Sequence, residues 1–203
     1  MKKIILIGAG GHCVSCIDVI EVERKYKITG LIDNRKKNSL LKYKILGNDK
    51  TLKKFSKKVK YALITVGHIK DSKIRENLFK RISKFGFKSP TIISPLSYVS
   101  KHAVVGEGTI VMHGSTINAG VKIGKNCIIN SNSLVEHDVV VEDHCHISTR
   151  STINGGVIIK KNSFVGSCSV IKQNLKIGKN CFINANLFIR KNLKNNSKVY
   201  EKK

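Results

Sequence analysis

The sequence lacks any apolar run that approaches the roughly 20 residues needed to span a bilayer, which argues against a membrane-spanning helix. The opening residues Met1 to Lys3 are followed by only four aliphatic residues before Gly8. Such a stretch is too short for the apolar segment of a secretory signal peptide, so we expect a cytoplasmic protein. Hydrophobic residues nevertheless make up 41% of the 203 residues, which suits one large or two small globular domains.

A second Cys-x2-Cys pair is also missing. Cys13 and Cys16 form one such pair, but no other follows at the spacing of a zinc site, and we expect no metal. Three further cysteines fall in the small-residue phase of the repeat described below. We therefore predict that the cysteines are buried small hydrophobic residues in a reducing compartment. The set is Cys13, Cys16, Cys127, Cys145, Cys168 and Cys181.

Acidic residues are scarce, since 13 Asp and Glu stand against 38 Lys and Arg, and the formal net charge is +25. This balance is typical of proteins that bind nucleic acid or a membrane surface. The lysines are scattered, however, and no nucleic-acid-binding motif accompanies them, so we expect no nucleic-acid partner. A Lys- and Asn-rich sequence bias on solvated faces, or an enzyme that attracts anionic substrates, accounts for the charge equally well.

A repeat of six residues runs without a break from residue 93 onward. Every sixth residue is Ile or Val, and a small or medium residue follows four positions later. The seventeen lead residues are Ile93, Val99, Val105, Val111, Ile117, Ile123, Ile129, Val135, Val141, Ile147, Ile153, Ile159, Val165, Ile171, Ile177, Ile183 and Ile189.

A period of six is not a helical period, and β-branched residues favour strands. Each hexad therefore predicts one short strand and one turn, and three hexads predict a triangular coil of about 18 residues that stacks on the next. The pattern resembles the [LIV]-[GAED]-x-x-[STAV]-x signature of the hexapeptide-repeat acyltransferases. That resemblance implies a left-handed parallel β-helix in a domain over 91–203, with a short basic C-terminal tail.

The first 90 residues have a different pattern, an alternation of strands and helices that predicts a small, Rossmann-like parallel α/β domain over 1–90. We expect a polar, Lys-rich connection over 35–50. The helix over 71–85 has Ile74, Leu78 and Ile82 spaced four apart. The predicted strands are 2–7, 28–32 and 61–66, and the predicted helices are 12–24, 51–58 and 71–85.

A glycine-rich loop follows the first predicted strand and opens the first predicted helix. Glycine permits a tight turn and the close approach of a phosphate to a helix N-terminus. The dinucleotide fingerprint is incomplete because Cys13 replaces its third glycine, and 90 residues supply about half of a dinucleotide domain. A mononucleotide or nucleotide-sugar is the favoured ligand, with a purely structural turn as the alternative. The residues at the carboxyl ends of the strands are Gly8, Gly10, Gly11, His12, Asp33, Asn34, Gly67 and His68.

The two domains together are similar to bacterial sugar acetyltransferases that modify nucleotide-activated 4-amino sugars, as in the bacillosamine and perosamine pathways, and to sialic-acid O-acetyltransferases. Those proteins begin with a strand followed by Gly-Ala-x-Gly-His-Gly, and here the segment is Gly8-Ala9-Gly10-Gly11-His12-Cys13. Asp33 matches the family's acidic residue after the second strand, and Gly67 matches its glycine after the third. The chain departs from the family at Cys13 and lacks its C-terminal Gly-x-Pro-Ala-Lys segment.

The resemblance also implies the roles of the remaining site residues. His137 matches the general base, a role that suits a side chain with a pKa near neutrality, and Asp138 would orient its imidazole. His146 would contact the thioester end of acetyl-CoA, Asn130 the acceptor, and Gly155 and Gly156 the pantetheine. His144 does not match a family position, and we expect it at the surface. The family's site lies between neighbouring solenoids, which implies a homotrimer.

The leading hypothesis is an acetyl-CoA-dependent N-acetyltransferase that acts on a nucleotide-linked 4-amino-4,6-dideoxy sugar for bacterial surface glycan synthesis. O-acetylation of sialic acid or a related nonulosonic acid uses the same base and donor and stays open as the first alternative. A hexapeptide scaffold without catalytic activity is the second alternative.

Overall fold

The computed structural model describes residues 1–35 and 38–201, which form an N-terminal α/β domain followed by a β-solenoid. The sheet of the first domain has the order β3-β4-β2-β1-β5, with β3 antiparallel to β4 and the other pairs parallel. Its elements are β1 (Lys2–Ile7), α1 (Gly11–Glu23), β2 (Tyr26–Ile32), β3 (Ser39–Leu40), β4 (Tyr43–Gly47), a 3-10 turn (Asp49–Thr51), α2 (Leu52–Ser56), β5 (Tyr61–Ile64) and α3 (Lys73–Lys84).

The segment 35–50 differs from the sequence-based prediction of a polar connection. It contains β3 and β4, which widen the sheet and make it mixed rather than wholly parallel. In β4 the half-buried Tyr43 and Ile45 alternate with exposed neighbours, as in a strand with one buried face. Because β4 has only five residues, its alternation of buried and exposed side chains is too short to be recognised in a Lys-rich segment. Lys36 and Lys37 lie outside the described residues.

Helix α3 buries a different stripe from the one that a spacing of four suggests. Leu78 and Ile82 are buried, whereas Ile74 is 68% exposed and Arg75 is fully buried. At 3.6 residues per turn, a spacing of eight rotates Ile74 by about 80° from Ile82, whereas a spacing of seven leaves Arg75 about 20° from it. A charged residue therefore occupies a core-facing position of this helix.

The solenoid has three faces, each a parallel sheet. The first face contains β6, β9, β12, β15, β18, β21 and β23, the second contains β7, β10, β13, β16, β19 and β22, and the third contains β8, β11, β14, β17 and β20. The strands are β6 (Ile92–Ile93), β7 (Tyr98–Val99), β8 (Val104–Val105), β9 (Ile110–Val111), β10 (Thr116–Ile117), β11 (Lys122–Ile123), β12 (Ile128–Ile129), β13 (Leu134–Val135), β14 (Val140–Val141), β15 (His146–Ile147), β16 (Thr152–Ile153), β17 (Ile158–Ile159), β18 (Phe164–Val165), β19 (Val170–Ile171), β20 (Lys176–Ile177), β21 (Phe182–Ile183), β22 (Phe188–Ile189) and β23 (Lys198–Val199).

The six-residue repeat produces this solenoid as predicted. From β6 to β22, each strand pairs with a strand 18 residues away, as in Ile117 with Val135 and Val135 with Ile153. All seventeen lead residues belong to the apolar cluster that fills the interior. This is the parallel-stranded repeat of a left-handed β-helix. The strand β23 joins most of the expected basic tail to the first face, and Lys202 and Lys203 lie outside the described residues.

A left-handed backbone conformation at every sixth residue explains the abundance of Asn and Gly in the repeat. Three positions after each lead residue from Val105 to Ile183, the backbone adopts a positive φ that lets the wall turn. Glycine and asparagine tolerate this left-handed conformation better than other residues. The fourteen positions are Gly108, Gly114, Gly120, Asn126, Asn132, Asp138, His144, Arg150, Gly156, Asn162, Cys168, Asn174, Asn180 and Asn186.

The first face of the solenoid carries the N-terminal domain. Ile92, Ile110 and Ile128 pack in one buried cluster with Cys13 and Ile17 of α1. The outer side of the first face and the α/β domain therefore meet through apolar contacts, which fix the position of the first sheet relative to the solenoid. Along 1–35 and 38–201, no helix combines the length and apolar composition that crossing a membrane requires.

Candidate active site

A cleft of about 790 Å³ lies at the carboxyl ends of β1, β2 and β5. It brings together all eight residues that the sequence places at those ends, and it adds Asn130 and His146 from the solenoid. Residues that sequence reasoning missed also line it, among them Arg35 and the exposed Ile74. The cleft is therefore built by both domains of one chain.

The glycine loop has the geometry that a close ligand approach requires. Gly8 has a φ of +104°, and a Cβ there would collide with the side chain of Val66. Gly10 is the N-cap of α1 and offers no side chain to its first-turn amides. At Gly11 a Cβ would meet no atom within 4 Å. The first turn of α1 thus presents backbone N–H groups to the cleft, an arrangement that favours anions.

Cys13, which interrupts the dinucleotide fingerprint, is compatible with this loop. Its side chain is buried in the cluster that joins α1 to the sheet and the solenoid. Burial raises the pKa of the Cys13 thiol to about 11, so the side chain acts as a small apolar residue. Cys168 departs from the expectation of buried cysteines because it is exposed. Within 1–35 and 38–201, no three His, Cys, Asp or Glu side chains are grouped as metal ligands.

Asp33 lies at the end of β2 and binds the glycine loop. Its Oδ2 accepts hydrogen bonds from the Ala9 amide and from Arg35 Nη2, the latter at 2.8 Å. Its Oδ1 accepts from the Arg35 amide at 2.8 Å and from Arg35 Nε at 2.9 Å. The Arg35 guanidinium holds the pKa of Asp33 well below its usual range. Asp33 is therefore ionised and bound on both oxygens.

Three histidines of the cleft are electrically neutral at pH 7. Burial lowers the pKa of His12 to about 3, that of His68 to about 2 and that of His146 to about 4. The positive charge of buried Arg75 lowers each pKa further. His12 Nε2 and both ring nitrogens of His68 have no hydrogen-bond partner among the described residues, although they are buried.

His146 has both ring nitrogens occupied. Its Nδ1 donates to the His68 carbonyl at 2.7 Å, and its Nε2 lies 3.2 Å from Asn130 Nδ2, which donates to it. His146 is thus grouped with the predicted acceptor-binding residues and not with Gly155 and Gly156. His144, expected at the surface, is half-buried and lies 2.9 Å from Asn126 Nδ2.

Arg75 of α3 is fully buried and connects the two domains. Its Nη1 donates to the carbonyls of Ile64 at 2.7 Å and Val66 at 2.9 Å. Its Nε donates to the carbonyl of Asn126 in the solenoid at 3.1 Å. A buried guanidinium that satisfies main-chain carbonyls on both sides holds the loop after β5 against the first face.

His137 lies apart from the cleft, at the turn between the second and third faces. Its imidazole is 67% exposed, and Nδ1 donates to Asp138 Oδ2 at 3.0 Å. The ring lies over Gly155, where a Cβ would be 2.6 Å from His137 Nε2. Gly156 has a φ of +68° in the same turn column. His137, Asp138, Gly155 and Gly156 therefore form one group, separated from the cleft by the second face.

These features define a two-domain hexapeptide-repeat transferase, and comparisons with known proteins agree. The PglD N-terminal domain family matches residues 3–82, and the bacterial transferase hexapeptide repeat matches 102–137 and 120–155. No curated protein sequence matches significantly.

Three solved structures illustrate the likeness. The acetyltransferase domain of PglB from Neisseria gonorrhoeae FA1090, in complex with acetyl coenzyme A, is 25% identical with a TM-score of 0.92 over 98% of this chain and 95% of that one. PerB from Caulobacter crescentus, in complex with CoA and GDP-perosamine, is 25% identical with a TM-score of 0.89 over 96% and 92%. WeeI from Acinetobacter baumannii AYE is 22% identical with a TM-score of 0.86 over 99% and 97%. The chain belongs to the PglD-type hexapeptide-repeat acetyltransferases, a family of acetyl-CoA-dependent enzymes.

Proposed function

We propose that this protein transfers an acetyl group from acetyl-CoA to the amino group of a nucleotide-linked 4-amino-4,6-dideoxy sugar, in the cytoplasm and for surface glycan synthesis. The observation that carries the proposal is the cleft, where the glycine loop, an uncapped helix N-terminus and neutral histidines meet. The similarity of the chain to PerB, whose structure holds CoA and GDP-perosamine, supports this substrate class.

The site of this reaction is proposed to need two protomers. Within one chain, the cleft histidines are neutral, His68 and His146 are buried, and His146 has no free ring nitrogen. The exposed histidine beside a carboxylate is His137, which lies beyond the second face. We therefore place His137 of one protomer at the mouth of the cleft of the next.

The second face supports this assembly. The outward-facing residue of each of its six two-residue strands is uncharged, although the chain as a whole carries 38 Lys and Arg. An uncharged strip on a flat face is suited to burial against another subunit, and three flat-sided solenoids close into a trimer. The strip consists of Tyr98, Thr116, Leu134, Thr152, Val170 and Phe188.

The chemistry follows from the His137–Asp138 pair. Because Asp138 accepts a hydrogen bond from the protonated Nδ1 of neutral His137, the lone pair of Nε2 is available as a base. As the sugar nitrogen attacks the thioester carbonyl, His137 removes its proton, and the CoA sulfur leaves when the tetrahedral intermediate collapses. Gly155, which leaves space for the imidazole, is proposed to border the pantetheine together with Gly156. Asn130 and His146 are proposed to border the acceptor.

The test measures thiol release with acetyl-CoA and UDP-, GDP- and dTDP-linked 4-amino sugars, against a free nonulosonic acid. We expect release with one nucleotide-linked amino sugar and a loss of about 10²–10⁴-fold in kcat for His137→Ala. His102→Ala is the matched control, because His102 is exposed in the same turn column.

Three other results would distinguish the alternatives or contradict the proposal. Release with the nonulosonic acid alone supports O-acetylation. Absence of both thiol release and CoA binding supports the scaffold. Full activity of His137→Ala contradicts the assignment of the base.

A further inference from the structure

The cleft holds far less positive charge than the rest of the molecule. Of the described residues that line it, Arg35 is the one with a cationic side chain, in a chain with 38 Lys and Arg. Asp33 and Asp49 line the same space, and the cleft histidines are neutral. A nucleoside diphosphate carries at least two negative charges. Its binding in this cleft therefore depends strongly on a cationic side chain that reaches the phosphates.

Asp33 is not available to a ligand in the way that an acidic residue after the second strand usually is. In nucleotide-binding α/β domains such a residue accepts hydrogen bonds from ribose hydroxyls. A carboxylate has about four lone-pair sites, and here four N–H groups from Ala9 and Arg35 occupy them. The Asp33 side chain is also only 7% exposed.

Arg35, in contrast, keeps donors free and directs them at the glycine loop. It uses Nε and one N–H of Nη2 for Asp33, which leaves three of the five guanidinium N–H groups. Its side chain is 53% exposed, and Nη2 and Nη1 lie 3.5 and 3.9 Å from the Cβ position of Gly10. The free donors therefore lie next to the uncapped amides of α1.

We propose that Arg35 binds the diphosphate of the substrate, and that Asp33 positions the Arg35 guanidinium instead of accepting a hydrogen bond from the ribose. The inference rests on the proposed function, because it names how that substrate class is recognised. Arg35 and the first turn of α1 would then hold the phosphates from two sides, and the guanidinium would screen them from the charge of Asp33.

The experiment is a double-mutant cycle read by titration calorimetry with GDP, UDP and dTDP and with the corresponding nucleosides. Arg35→Gln should weaken the diphosphate that the wild type binds by about 10–100-fold and leave the nucleoside unchanged. Asp33→Asn should also weaken the diphosphate, and the double variant should be no weaker than Arg35→Gln, because Asp33 acts through Arg35. Arg35→Lys should recover part of the affinity, since it keeps the charge and loses the fork.

The matched control is Lys42→Gln, which removes another exposed ion pair of this domain, between Lys42 and Glu21 at 2.9 Å. It should bind the diphosphate as the wild type does, and circular dichroism should show all variants folded. An Asp33→Asn variant that loses nucleoside affinity, with effects that add to those of Arg35→Gln, overturns the inference. So does wild-type affinity in Arg35→Gln, or a wild type that binds no nucleoside diphosphate.

Failure of the proposed function has a different signature. If the wild type binds a diphosphate through Arg35 but acetylates no nucleotide-linked amino sugar, the role of Arg35 stands and the proposed reaction is wrong.

Discussion

His146 Nδ1 lies 2.7 Å from the main-chain carbonyl of His68, so a solenoid coil and the loop after β5 share a buried hydrogen bond. In the next two coils the equivalent outward position holds Phe164 and Phe182, and Phe164 contacts the His146 ring edge to face and stacks on Phe182. The histidine therefore differs from its neighbours by its hydrogen bonds and not by its packing.

His146→Phe isolates those hydrogen bonds. Phenylalanine keeps the ring contact with Phe164 but leaves the His68 carbonyl and the Asn130 side-chain amide without this partner. Loss of a buried hydrogen bond costs about 1–3 kcal/mol, and we expect the free energy of unfolding to fall by that amount in urea titrations. KM for the acceptor should rise more than kcat falls. An unchanged free energy of unfolding would contradict the role of this bond.

The pH dependence of stability follows from the cleft histidines, whose pKa values are lowered. Their pKa values are about 3 for His12 and about 4 for His146, below the value near 6.5 in an unfolded chain. The unfolded state therefore binds more protons, and stability falls as the pH drops from about 6.5 towards 4. Each such histidine contributes at most about 1.4 kcal/mol per pH unit in that window.

Urea titrations at pH 7, 6 and 5 measure this slope. The slope of the unfolding free energy against pH reports how many more protons the unfolded state binds. In His146→Phe this number should decrease by about one, because one titrating group is gone. Phe182→Leu, which changes a neighbouring ring and no titratable group, should keep the wild-type slope. Equal slopes in the wild type and His146→Phe would argue against a neutral buried His146.

The strained turns of the solenoid offer a gain in stability. Cys168 has a φ of 58°, and at the equivalent turn 18 residues later Asn186 has a φ of 59°. Asparagine tolerates this conformation better, so Cys168→Asn should raise the free energy of unfolding by about 0.5–1 kcal/mol. The reverse substitution, Asn186→Cys, should lower it by a similar amount. Thermal melts that show the same sign for both substitutions would contradict this explanation.

A substitution at Gly155 tests whether the position of the His137 imidazole matters for catalysis. A Cβ there would be 2.6 Å from His137 Nε2, and Gly155 has no positive φ that alanine would strain. Gly155→Ala should therefore displace the imidazole, lower kcat by about 10-fold or more and leave the melting temperature nearly unchanged. A normal kcat in a folded variant would show that the His137 ring does not need this space.

Sequence periodicity predicted the solenoid well because every coil repeats one local rule. Ile117, Val135 and Ile153 are inward for the same reason, and each repeat strengthens the inference. The strands β3 and β4 were missed because their pairing depends on β2, which is remote in sequence. The left-handed turns left a signal, since Asn and Gly recur three positions after the lead residues.

The predicted substrate-binding residues line the cleft, but their arrangement was not predicted. The carboxyl ends of the strands predicted the cleft residues, since parallel strands bring those ends to one edge. The six-residue repeat does not say which face of the solenoid meets the N-terminal domain, so the hydrogen bond between His146 and the His68 carbonyl was not predicted. Arg75 was missed because a charged residue at a core position of α3 has no apolar signature, and its partners are main-chain carbonyls. Arg35 was missed because its pairing with Asp33 depends on loop geometry.

The most direct test of the shared site is complementation between two inactive variants. His137→Ala removes the base, and Gly11→Phe blocks the cleft from a position where a Cβ meets no atom within 4 Å. Co-expression of the two variants mixes them in one assembly. If the base and the cleft come from neighbouring protomers, about one quarter of the sites combine an intact cleft with an intact His137, and thiol release should return towards that fraction of the wild type. A mixed assembly as inactive as either variant alone would place both groups in one chain and contradict the account.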